Sequence, residues 1–124
     1  MRGRHPAQQA YLDAQGEVQR LCRVVDEAAR PLNAQVDAGE ISEDTWAQAR
    51  DDLDEQLGLL AATRRRDEAR RALIDWGLAQ VRTLWPTYGR LFPGHSLATL
   101  EALFARPEAQ RRLVPIILKL QDWA

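Results

Sequence analysis

Five arginines within eight positions, Arg64, Arg65, Arg66, Arg70 and Arg71, are the densest cluster of chemically competent side chains in the sequence. Several guanidinium groups at one helical turn can contact phosphates and release counterions from nucleic acid. The same groups can instead meet carboxylates, because charge is unevenly spread along the chain. Residues 41–62 carry six acids and one base, net −5, whereas residues 63–90 carry seven bases and three acids, net +4. Asp67 and Glu68 interrupt the arginines and predict i,i+4 pairs, Arg64 with Glu68 and Asp67 with Arg71. A solvated helix face is therefore the leading reading of this cluster. Self-association with the acidic stretch of a second copy comes next, and phosphate binding third.

The other constellations are weaker. Asp51, Asp54 and Glu55 share one helical face, with Asp44 two turns earlier, and such oxygens suit a hard cation. Dinuclear helical sites also use a Glu three residues before a His. Neither His5 nor His95 has one, so the cluster reads as a solvated acidic face and no metal or cofactor is expected. His95 would need an oriented partner to act as a base. The sequence holds no serine nucleophile elbow, phosphate-cradling glycine loop or cysteine–histidine spacing. No catalytic residue is assigned, and the chain is expected not to be an enzyme. Cys22 is single, which excludes a disulfide framework within the chain, and it reads as a small buried thiol. The four tryptophans, Trp46, Trp76, Trp85 and Trp123, are expected mostly in the core. The exception is the stretch after residue 84, where Trp85, Tyr88, Arg90 and Phe92 form a candidate docking loop, since tryptophan and arginine commonly anchor interfaces.

These residues must be positioned by helices. Apolar residues recur at Tyr11, Ala14, Val18, Leu21, Val25, Ala28 and Leu32, a heptad seam suited to packing lengthwise on another helix. Pro31 lacks an N–H and predicts a kink, or a break and restart, near Arg30. The segment Asp37–Ser42 reads as a chain reversal. Gly39 can take the left-handed conformation that closes a helix, and Ser42 is a good N-cap. Glu43 and Asp44 suit the positive end of the next helix dipole, and Ile41 and Trp46 are spaced as a hydrophobic staple. The stripe Trp46, Ala49, Leu53, Leu57 and Leu60 should then fold back antiparallel onto the first seam.

Thr63–Glu68 offers no apolar residue, which predicts either a break near Thr63 or a turn projecting into water. Spacing resumes at Ala69, Leu73 and Trp76. Trp85-Pro86 is expected to end this helix, and residues 85–95 to form an apolar loop set by Pro86, Gly89, Pro93 and Gly94. Ser96 can cap a short helix, and Pro107 with Glu108 can open a last one. Pro115 should kink that helix, and Val114–Leu120 should be buried with Trp123 over it.

Bulk properties bound this picture. A length of 124 residues suits one domain with a modest core, and 45% apolar with 28% charged residues is an ordinary globular balance. A formal charge of −1 gives no strong global attraction to nucleic acid or an anionic membrane. The N-terminus lacks a signal-peptide core and no apolar run approaches about 18 residues, so a cytoplasmic protein without a membrane partner is expected.

The fold expected is all-α, a long antiparallel helical hairpin with a short two-helix C-terminal cap. As one domain over residues 1–124, it divides into a frayed N-terminus (1–5), the hairpin (7–84), the apolar loop (85–95) and the cap (96–124). The function expected is a small, non-catalytic interaction protein, self-associating with a dimer favoured, or binding a helical protein partner. The alternative is a nucleic-acid-binding accessory protein using the arginine-rich turn at residues 64–71.

Overall fold

Proline, serine and glycine set the helix boundaries. The computed structural model describes residues 3–91 and 93–120, among which there are six α-helices and no strand. The helices are α1 (Pro6–Ala28), α2 (Arg30–Asp37), α3 (Glu43–Gln56), α4 (Leu59–Tyr88), α5 (Leu97–Phe104) and α6 (Pro107–Ile117). A short 3-10 turn, Gly89–Leu91, follows α4. No helix among the described residues is long and apolar enough to cross a membrane.

The break near Arg30 occurs as the proline requires: Ala29 alone separates α1 from α2, and Pro31 sits in the first turn of α2. At the next reversal Gly39 has φ +74°. The Glu40 amide reaches the Gln35 carbonyl at 2.9 Å and the Gly39 amide reaches Val36 at 3.1 Å, a Schellman closure. Ser42 Oγ then accepts from the Thr45 amide at 3.1 Å and caps α3. Ser96 caps α5 in the same way, accepting from Thr99. Pro107 opens α6 with Glu108 in its first turn.

Two boundaries differ from the sequence reading. Of the two expectations for Thr63–Glu68, the helix that continues is the one found; the chain breaks earlier, at Gly58, whose φ of +82° closes α3. Thr63–Glu68 is continuous helix, because arginine and glutamate are good helix formers even where nothing packs on them. Pro86 does not end α4 but lies inside it, and the expected loop over 85–95 begins only after Tyr88. Proline costs one hydrogen bond to the preceding turn, which a last turn tolerates. Val114–Leu120 is not uniformly buried either. Val114 and Ile117 are buried while Ile116 is 59% exposed, because a helix turns only one face to the core. Pro115 is inside α6, which continues to Ile117. Phe92 and Trp123 lie outside the described residues.

Backbone proximity gathers the chain into two compact units. The first comprises residues 1–12 and 68–124. Its core is Leu73, Ile74, Phe104, Val114 and Ile117, with Tyr11, Trp76, Leu113 and Leu120 packed around it. Gly77 lets α6 approach α4 closely, since a Cβ there would meet the Ile117 side chain at 2.8–3.0 Å. His5, expected in the frayed end, instead stacks its ring on Trp76 with centroids 4.7 Å apart. His5 also caps α1. Its Nδ1 accepts from the Ala7 amide while Gln8 Oε1 accepts from the His5 amide. The buried Gln8 Nε2 donates toward the carbonyls of Ile117, Leu118 and Leu120 at 2.9, 3.3 and 2.9 Å, satisfying the end of α6.

The second unit is residues 13–67. Val18 and Leu21 of the α1 seam bury against Ala62, with Cys22 and Leu59 partly buried beside them. Val25 and Ala29 are also buried. Across the reversal, α2 packs on α3. Polar ties join the same region: Trp46 Nε1 donates to Asn33 Oδ1 at 2.8 Å, and Arg50 meets Asp26 at 2.6 Å.

Candidate functional site

The end of α4 continues an apolar stripe that its proline conceals. Val81, Leu84, Trp85 and Tyr88 fall at i, i+3, i+4 and i+7, one face of a helix. Leu100 of α5 and His95 form the opposite wall, enclosing a groove of about 420 Å³. Local chemistry shapes it. Gly94, with φ +90°, turns the chain before the Ser96 cap starts α5. Arg82 meets Glu101 at 3.2 Å and ties α5 to α4, although this exposed pair adds little stability. Gly89 leaves room for the Trp85 indole, which a Cβ would meet at 2.6 Å. The lining is almost entirely hydrocarbon, with the His95 ring and Tyr88 hydroxyl as polar groups. Such a lining is mainly apolar surface with a few polar groups at its edge.

Of the docking residues read from sequence, Trp85 and Tyr88 line this groove, Arg90 is exposed in the 3-10 turn that follows, and Phe92 is outside the described residues. Tyr88 is 52% exposed and Leu91 65%. Val81, Leu84, His95 and Leu100 were not assigned from sequence. The signal for the first two was present in the spacing 81, 84, 85, 88, but ending the helix at Pro86 cut that stripe short.

A second concavity lies at the α2–α3 reversal. Val36, Ile41, Trp46 and Ala47 give it apolar walls, and Asp37, Glu43 and Asp44 give it negative charge. Ile41 and Trp46, the expected staple, both line it. Beyond it, α3 carries its stripe without burial: Trp46, Ala49, Leu53 and Leu57 are half-buried, no residue of α3 is buried, and Leu60 is 46% exposed.

The arginine cluster is divided. Arg64, Arg65 and Arg66 belong to the second unit and Arg70 and Arg71 to the first. Asp67 meets Arg66 at 3.2 Å. Arg65 adds to the field that holds the Glu17 carboxyl below its ordinary value, after the larger effect of the Arg20 hydrogen bond at 2.6 Å. Arg64 and Arg71 are exposed, and Arg71 lines a shallow groove with Asp75 and Glu101. Carboxylates thus stand beside most of these guanidinium groups, which reduces the local potential available to phosphate.

On the acidic face, Asp51 and Glu55 are exposed and Asp54 is 4.0 Å from Arg50. Among the described residues no three His, Cys, Asp or Glu side chains converge as metal ligands would. Cys22 is half-buried against the Val18–Leu21–Ala62 cluster. The three described tryptophans are half-buried rather than core, each with its ring against a partner or a groove. Comparison of the chain with protein-family models, curated proteins and solved structures finds no match.

Proposed function

We propose that this is a small helical interaction protein that self-associates, a dimer being the simplest assembly, and that it has no catalytic role. In this reading residues 7–84 form an antiparallel hairpin, tied by Asp26 with Arg50 and by Asn33 with Trp46. The observation that carries the proposal is α3. Fourteen residues long, it has an apolar stripe yet buries none of it fully. Most helix stability in proteins comes from covering such a stripe, and a second copy would cover it. The exposed Tyr88 and Leu91 beside the α4–α5 groove supply apolar surface of the same kind.

Sedimentation of the full chain over a range of concentrations tests this. A mass that rises toward twice 14.1 kDa is expected, and a monomer at every concentration would remove the proposal. The exposure of Arg64 and Arg65 supports a second reading, nucleic-acid binding. That reading expects duplex affinity to fall steeply with salt and to vanish when Arg64, Arg65 and Arg66 become Ala.

A further inference from the structure

Charge divides between the two units more sharply than along the sequence. Residues 13–67 hold thirteen acids and seven bases, net −6, while residues 1–12 and 68–124 hold ten bases and five acids, net +5. Each unit also exposes apolar surface next to charge of its own sign. In the acidic unit this is the α2–α3 cleft, with Asp37, Glu43 and Asp44 around Val36, Ile41 and Trp46. In the basic unit it is the turn after α4, where exposed Arg90 stands between Tyr88, 52% exposed, and Leu91, 65% exposed. Among the described residues neither Arg90 nor any of the three cleft carboxylates makes an ion pair.

We infer that the Tyr88–Leu91 turn of one copy docks into the α2–α3 cleft of a second copy, Arg90 meeting the carboxylates and Leu91 the wall of Val36, Ile41 and Trp46. Contact between two like units would bring net charges of the same sign together, whereas this contact brings opposite signs together and pairs groups left open in the single chain. It also lays apolar surface on the first turn of α3, beside its half-covered stripe. The inference rests on the self-association reading and adds which surfaces meet.

The test uses the full chain and its dissociation constant for self-association, read by sedimentation. Arg90→Glu and Asp37→Arg are each expected to weaken association about tenfold or more, and the double variant to return within about threefold of the wild type. Asp37 ends α2, where a cation suits the helix dipole, so its replacement does not unfold the helix. Leu91→Ser, at a solvent-exposed position, should weaken association with unchanged circular dichroism. Raising salt from about 0.05 to 0.5 M should weaken the wild type and leave an uncharged Arg90→Gln variant far less affected. A wild type that self-associates while Arg90→Glu and Leu91→Ser leave the constant unchanged would overturn this contact and spare the broader reading. A monomeric wild type removes both.

Discussion

The two units of this chain are stabilised by different means. In the unit of residues 1–12 and 68–124, five buried apolar side chains from α4, α5 and α6 meet in one core, and Gln8 closes the carbonyls at the end of α6. In the unit of residues 13–67, burial is confined to α1, Ala29 just after it, and the first turn of α4. Its α2 and α3 contain no buried residue and are fastened by a Schellman closure, a serine cap, an indole hydrogen bond and an ion pair. Apolar burial removes surface from water and grows with area, whereas each exposed polar tie contributes on the order of 1 kcal/mol or less. A region held mainly by polar ties leaves apolar surface uncovered, and on the proposed self-association that surface is what a second copy covers.

Truncation should expose this contrast most strongly. Leu73→Ala empties a fully buried site and is expected to cost about 3 kcal/mol in urea unfolding, whereas Leu53→Ala on half-buried α3 should cost about 1 kcal/mol. Equal losses would mean that α3 is as well packed as the α4–α6 core. Gln8→Ala comes next, at about 2 kcal/mol, because the last carbonyls of α6 lose a buried donor. Faster amide exchange in the last turn of α6 should accompany it.

Two glycine replacements of identical chemistry sharpen the comparison. Gly16 lies in α1 with nothing near its missing Cβ, so Gly16→Ala should stabilise by about 0.5–1 kcal/mol. Gly77→Ala offers the same helical gain but drives a methyl into Ile117, and should destabilise by about 1–2 kcal/mol net. Thermal unfolding of the pair reads the sign directly; a stabilised Gly77→Ala would show that α6 can move aside.

The smallest effect concerns Glu17. Arg20, and then Arg65, hold its carboxyl below the ordinary value of 4.5. A lowered folded value means a contribution present above pH 4.5 and lost as acid takes the group through its folded value. By NMR titration, Arg20→Ala should raise the Glu17 midpoint more than Arg65→Ala does. An unchanged midpoint in both would detach the pair from this carboxyl.

How much of this was legible beforehand follows the range of the interactions involved. Gly39, Ser42, Ser96 and Pro107 mark boundaries that can be read directly, because a cap or closure is satisfied within a few residues. Gly58 and Pro86 are not legible in this way, since the same residue types can break a helix or be absorbed at its end, and neighbouring contacts decide which. Composition alone marks Trp85 and Tyr88 as candidate docking residues. Their groove is not so marked, because His95 and Leu100 approach them only once α5 is placed.

Residue types and spacing alone determined an all-helical chain, its chief reversal, and the separation of acidic from basic stretches. These depend on hydrogen bonds and periodicities that close within one or two turns. Tertiary structure alone decided that His5 stacks on Trp76 and that Gln8 satisfies the end of α6, more than a hundred positions away. It likewise decided that the α1 seam is partly sealed by Ala62 while α3 stays half-covered. Burial is a property of which surfaces meet, and a linear pattern states only that a face seeks cover.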